Sequence, residues 1–294
     1  MTTAEQITDR VAYHGEGPMW DGPAGVIRWM DMLHGDILTM RPGLGEIRRR
    51  HVGDIAAAMR PRTRGGLVVA IERGFILVDD VDAPDDATAD PGVTVLDELW
   101  SDPRVRMNEG GCDPQGRFYC GSMEFDGAAG RGNVFRLDPD YSVNLVMGGV
   151  TISNGMVWAL DGSEVYYIDS RTHRVSAYRF DPLVGAFHAR RTVVEIPASV
   201  GTPDGMTIDV DGGLWVALYG GSAVHRYLPD GSLDHVIELP ASRVTACTFG
   251  GENLDELYIT TSREHLPDDE QPLAGALFRA IPGVCGVPVA PFAG

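Results

Sequence analysis

Lysine is absent from this chain of 294 residues, so 24 arginines carry all of its fixed positive charge. That absence excludes Schiff-base catalysis and a phosphate-binding P-loop, both of which need the lysine amine. Acidic residues outnumber arginine, and the net charge is -18. A polyanion such as nucleic acid is a poor partner for that surface. Part of the excess lies in one run, Asp79-Asp80-Val81-Asp82-Ala83-Pro84-Asp85-Asp86, which reads as a solvated loop.

Long apolar runs are also missing. None approaches the roughly 20 residues that span a bilayer, so no membrane contact is expected. The opening Met1-Thr2-Thr3-Ala4-Glu5-Gln6 has neither a basic n-region nor an apolar h-region, so no signal peptide is expected. Cys112, Cys120, Cys247 and Cys285 show no C-x-x-C spacing and read as buried free thiols of a cytoplasmic protein. There is no G-x-S-x-G elbow, no H-E-x-x-H and no glycine-rich phosphate loop. No useful helical period appears, and no linker divides the chain, so residues 1–294 read as a single domain.

What is present is one fragment written four times, opened each time by an oxygen-bearing side chain. The copies begin Glu16-Gly17-Pro18-Met19, Asn108-Glu109-Gly110-Gly111, Asn154-Gly155-Met156-Val157 and Asp204-Gly205-Met206-Thr207. Glu16 and Asn108 lead Asp21 and Asp113 by five positions; Asn154 and Asp204 lead Asp161 and Asp211 by seven. Strand-like runs rich in β-branched and aromatic residues follow, such as Val26–Asp31, Glu164–Asp169 and Leu214–Leu218. A further strand then ends near Pro42, Pro139, Pro182 or Pro229, and the last three prolines are 43 and 47 residues apart. Weaker copies start at Gly66 and Cys247, which makes six units. A radial repeat of this length predicts an all-β, six-bladed β-propeller, with a two-sheet sandwich as the alternative. In a propeller the first strand of each blade lines the central channel, so the four openers would meet at its mouth. Converging carboxylate and amide oxygens, without Cys or His, suit a hard divalent cation. His14 either lines the same mouth or is an exposed turn residue. His34 and His173 hold matching places in their repeats and read as a repeated turn.

Several stretches together resemble the SMP-30/gluconolactonase family, which includes regucalcin-like proteins. They are His14–Trp20, Arg106–Gly110, Asp113–Phe118, Ile152–Gly155, Pro203–Met206 and the ending Gly286–Gly294, in order along nearly the whole chain. The resemblance implies a six-bladed propeller and a metal-dependent lactonase. It implies that Glu16, Asn154 and Asp204 hold one divalent ion (Ca, Mn, Mg or Zn) at the mouth of the channel. It implies that Arg106 binds the substrate and that Asn108 binds the substrate or contacts the metal through water. The loop after Met123 would supply an acid for sugar hydroxyls, Glu124 or Asp126, with Asp126 favoured by position. Glu109 stands where the family more often has Asp.

On this basis the expected reaction is ring opening of a sugar-type lactone. Asp204 would accept the proton of the attacking water. Two other functions stay open: a phosphotriester or fluorophosphate hydrolase on the same fold, and a non-catalytic propeller that binds a metal or a partner.

Overall fold

Short runs of Val, Ile, Tyr, Phe and Trp, each closed by an Asp/Gly turn, can bury their side chains only between stacked sheets. The computed structural model describes residues 2–83, 92–267 and 269–294. Pro84, Asp85 and Asp86 of the acidic run lie outside the described residues. Six antiparallel sheets form six blades. Their innermost strands are Gly15–Asp21, Ala56–Pro61, Val105–Cys112, Ser153–Trp158, Thr202–Ile208 and Val244–Gly250, in blades one to six. Each innermost strand packs against the next, and that of blade six packs against that of blade one, so the ring closes. Among the described residues the only helical segments are two 3-10 turns, Met32–His34 and Ser170–Thr172.

Closure is made by the N-terminus. Glu5–Gln6 supplies the outer strand of blade six against Leu277–Ala280, and Thr2–Thr3 adds in parallel to Leu233–Glu238 of blade five. Pairing removes an open sheet edge that would otherwise template association. From its place just before the first repeat, the stretch around Val11 to His14 is the one expected to pair with the last blade. It contributes only single contacts to blade six, through Gly275, Ser262 and Arg263.

Burial decreases outward. Val105–Cys112 is buried throughout, whereas the outer strand Ala186–Glu195 is mostly exposed. Outer strands therefore carry little apolar alternation, and Ile47–His51 and Val143–Val150 left no clear sequence signal.

Three spacing expectations change. The far-end turn of blade five is held by Asp209, five residues after Asp204, as Asp113 follows Asn108. Both carboxylates are fully buried and accept four hydrogen bonds. Asp113 takes the N–H of Gln115 and Arg117, Arg117 Nε and Tyr119 Oη. Asp209 takes the N–H of Asp211 and Gly213, Trp215 Nε1 and Arg226 Nε. Ala159 occupies that place in blade four, and Asp161 instead caps Ser163. His34 ends one 3-10 turn and His173 follows the other in a left-handed conformation, so they are one residue out of register.

The C-terminal segment closes the far end of the channel. Gly286 bridges Asp209 in blade five, Phe292 bonds to Pro61 and Thr63 in blade two, and Ala293 bonds to Gly116 in blade three. Phe292 is fully buried.

Candidate functional site

Each innermost strand breaks register with its neighbour at one place near the mouth. The unpaired residues begin with Asn108, Asn154 and Asp204 in blades three to five; Ala57 and Thr245 occupy the place in blades two and six. A bulge twists the strand and re-aims the extra side chain, here toward the axis. Blade one differs. Glu16 is still paired with Met30, and the bulge is Gly17–Pro18. Glu16 is thus offset by one residue, and its longer side chain folds back so that Oε2 accepts the Gly17 N–H at 3.1 Å.

The glycines after Asn154 and Asp204 have a steric cause, whereas Glu109 follows Asn108 in blade three. A Cβ on Gly155 would lie 2.9 Å from the Asp204 carbonyl oxygen, and one on Gly205 would lie 2.8 Å from Ala246 Cα. From blade four to blade six the innermost strands approach too closely at these positions for a side chain.

Glu16, Arg106, Asn108, Asn154 and Asp204 are all buried. Asn154 donates from Nδ2 to Ser170 Oγ at 2.8 Å, and Ser170 Oγ donates to the Pro203 carbonyl at 2.7 Å. That chain commits the amide nitrogen and leaves Oδ1 facing Asn108, whose Nδ2 donates to it at 3.2 Å. Asn108 Nδ2 also donates to the Ser153 carbonyl at 2.8 Å, and Asn108 Oδ1 accepts from Arg106 Nη1 at 2.6 Å. The Arg106 guanidinium lies over the Phe125 ring, 5.5 Å from its centroid.

Burial pushes Asp204 well above the usual carboxylate range, and the charges of Glu16 and Glu109 push further. Burial and the Glu109 charge raise Glu16 in the same way. His14 Nε2 is 3.8 Å from Glu16 Oε1, but burial and the nearby Arg106 charge drive the imidazole down to about 3, so it is neutral. Among the described residues no arginine lies within ion-pair distance of Glu16 or Asp204.

A sequence profile of the SMP-30/gluconolactonase/LRE-like region matches residues 14–263. The chain belongs to the SMP-30/gluconolactonase/LRE-like family. YvrE of Bacillus subtilis, whose name proposes a sugar lactone lactonase, is 34% identical over 290 residues, 97% of each chain. The solved structure of a luciferin-regenerating enzyme superposes with a TM-score of 0.91 at 26% identity, covering 100% of both chains. Regucalcin of Agrobacterium tumefaciens, described as a calcium-binding protein, superposes with a TM-score of 0.88 at 25% identity, over 99% of this chain and 97% of that one.

In this family member the mouth brings together five of the six expected site residues. Asp126 is the exception. It is exposed and, among the described residues, makes no hydrogen bond or ion pair. Glu124 is buried but faces outward to Arg104 and Arg131, at 3.7 and 3.9 Å. The residue of that loop which reaches the site is Phe125. Two acids were missed. Glu264, in the loop after Glu256–Thr261, acts on Arg106, Glu16 and Asp204 and lies 3.6 Å from His14 Nδ1. Its stretch has no counterpart in the four-fold repeat, so no signal pointed to it. Glu109 lines a cavity of about 300 Å³ further along the channel, with Oε2 buried and unpartnered.

The donor set fits a hard divalent cation. Two buried carboxylates repel each other with no positive side chain at contact distance, and one oriented amide oxygen stands beside them. Among the described residues no three His, Cys, Asp or Glu side chains group as ligands.

Proposed function

We propose that the protein is a metal-dependent lactonase that opens the ring of a sugar-type lactone. The observation that carries this reading is the pair of buried carboxylates, Glu16 and Asp204, beside the Asn154 amide oxygen and without an arginine at ion-pair distance, although the Arg106 charge reaches both. Membership in a family named for gluconolactonase, and the proposed activity of YvrE, support lactone as the substrate class.

Glu16, Asn154 and Asp204 would hold the ion, which when bound supplies Lewis acidity for the lactone carbonyl oxygen. Asp204 accepts the proton of the attacking water as its oxygen bonds to the carbonyl carbon. Burial raises the proton affinity of its carboxyl in the metal-free protein, and a bound ion would lower it again, so Asp204 is a modest base, which lactone opening tolerates. The tetrahedral adduct then breaks its bond to the ring oxygen. The proton passes to that oxygen, and the product is a hydroxy acid. Arg106 orients the substrate, and Asn108 positions both Arg106 and Asn154 through its two polar ends.

The test is acid release from sugar lactones, followed with a pH indicator on chelated and then metal-refilled protein. Activity lost on chelation and restored by Ca, Mn, Mg or Zn supports the reading. Hydrolysis of a phosphotriester with no lactone turned over would replace the substrate class. No turnover of either would leave a non-catalytic binding protein.

A further inference from the structure

The address two residues before the bulge carries arginine twice. Arg106 precedes Asn108 in blade three, and Arg243 precedes Thr245 in blade six. In a ring of six, these blades stand opposite each other across the channel. Each guanidinium lies over an aromatic ring, Arg106 over Phe125 and Arg243 over Tyr219, both 5.5 Å from the centroid. Both charges act on His14, two residues before Glu16 in blade one. Arg243 and Asp204 both act on Tyr219, so Arg243 belongs to this mouth.

The two arginines are not equally committed. Arg106 Nη1 is spent on the Met107 carbonyl and Asn108 Oδ1, and Arg106 Nε is buried without a partner. Arg243 Nη1 is shielded from solvent and has no hydrogen-bond partner. Among the described residues neither guanidinium forms an ion pair. A shielded cationic N–H without an acceptor is costly in a folded protein, and such groups mark sites where the acceptor arrives with a ligand. Stacking on Tyr219 holds the planar fork ready for a two-oxygen anion. The net charge of -18 opposes anions only at range, because salt screens exposed charges beyond about 8 Å at physiological ionic strength.

We propose that Arg243 binds an ionised acid group, carboxylate or phosphate, at the end of the substrate remote from its lactone carbonyl. The substrates of this site are then acid-bearing sugar lactones. This rests on the lactonase reading for the substrate, but the anion site itself does not.

The experiment compares D-glucono-lactone with its 6-phosphate and with the lactone of glucaric acid, which carries a free carboxylate. Wild-type kcat/KM should favour one or both acid-bearing lactones. The ratio over the neutral lactone should fall about tenfold to a hundredfold in Arg243→Gln, as when a hydrogen bond to a charged group is lost, and mainly through KM. Arg243→Lys should restore it in part for phosphate and less for carboxylate, which needs the fork. A wild-type enzyme with no preference, or an Arg243→Gln enzyme that keeps the preference, overturns the proposal and leaves the lactonase reading intact. Calorimetry of gluconate, glucarate and 6-phosphogluconate binding to the metal-loaded protein covers the case of no turnover. There the lactonase reading fails. Loss of the extra affinity of the doubly acidic ligands in Arg243→Gln still supports the anion site, and equal affinities overturn it. Thermal melting of both variants confirms that each is folded.

Discussion

Ser170→Ala tests the site through a residue that touches no substrate. Ser170 is 2% exposed; its hydroxyl accepts from Asn154 Nδ2 at 2.8 Å and donates to the Pro203 carbonyl at 2.7 Å. Alanine removes both bonds and orphans a buried amide N–H. That costs about 1–3 kcal/mol of stability, a readable fraction of the roughly 5–15 kcal/mol that holds a domain together. The functional loss is separate. With Nδ2 uncommitted, the Asn154 amide no longer presents Oδ1 to the mouth in one orientation. Loss of an outer partner of a metal ligand typically weakens the ion about tenfold to a hundredfold. Denaturant unfolding of metal-free protein reads the first effect, and calorimetric titration with Ca or Mn reads the second. Ser232→Ala, which removes an exposed turn bond to Asp230, is the control and should change neither. If stability falls as expected while metal affinity stays within about threefold, Asn154 is not a ligand held by Ser170, and the donor set must be redrawn.

Asp204→Asn should abolish metal-dependent hydrolysis. It should also raise the melting temperature of the metal-free protein at pH 8, because it removes one of two repelling buried carboxylates; a lower temperature there refutes the electrostatic account. Burial, then the Glu109 charge, lifts Glu16 from its ordinary 4.5 to about 8. A group whose pKa is higher folded than unfolded loses its contribution as pH rises through the folded value. The metal-free protein should therefore lose stability from about pH 4.5 to about pH 8, and the melting-temperature gain on adding Ca should grow over that window; a flat gain contradicts it. Asp209→Ala strips four donors from a fully buried carboxylate and leaves Arg226 without its inner partner, so stability should fall by about 3–5 kcal/mol. Residual folded enzyme should keep its KM, and a selective loss of catalysis would place Asp209 in the site instead.

The repeat was legible because each blade solves the same problem locally. A bulged inner strand, a glycine where the next blade presses close, and an Asp/Gly turn recur every 40-odd residues in the strongest copies, and that period alone implied a closed ring of six. Glu16, Asn108, Asn154 and Asp204 stood out because each opens a copy of the repeated fragment with an oxygen-bearing side chain. What the chain order could not show was anything set by contact between strands or between blades. The one-residue offset of Glu16 and the commitment of the Asn154 amide to Ser170 are set between strands of one blade, and Arg106 and Arg243 stand on opposite sides of the mouth only once the ring closes. Their neighbours along the chain are the same in any register. Glu264 and Phe125 enter the site from loops, where no periodicity constrains side-chain direction. Asp126 looked suitable by count, yet the turn that carries it points into solvent. Local backbone chemistry determined the blades and the polar residue at the head of most of them. The electrostatic character of the site was decided only when closure buried those groups together, because desolvation and charge repulsion act through space and not along the chain.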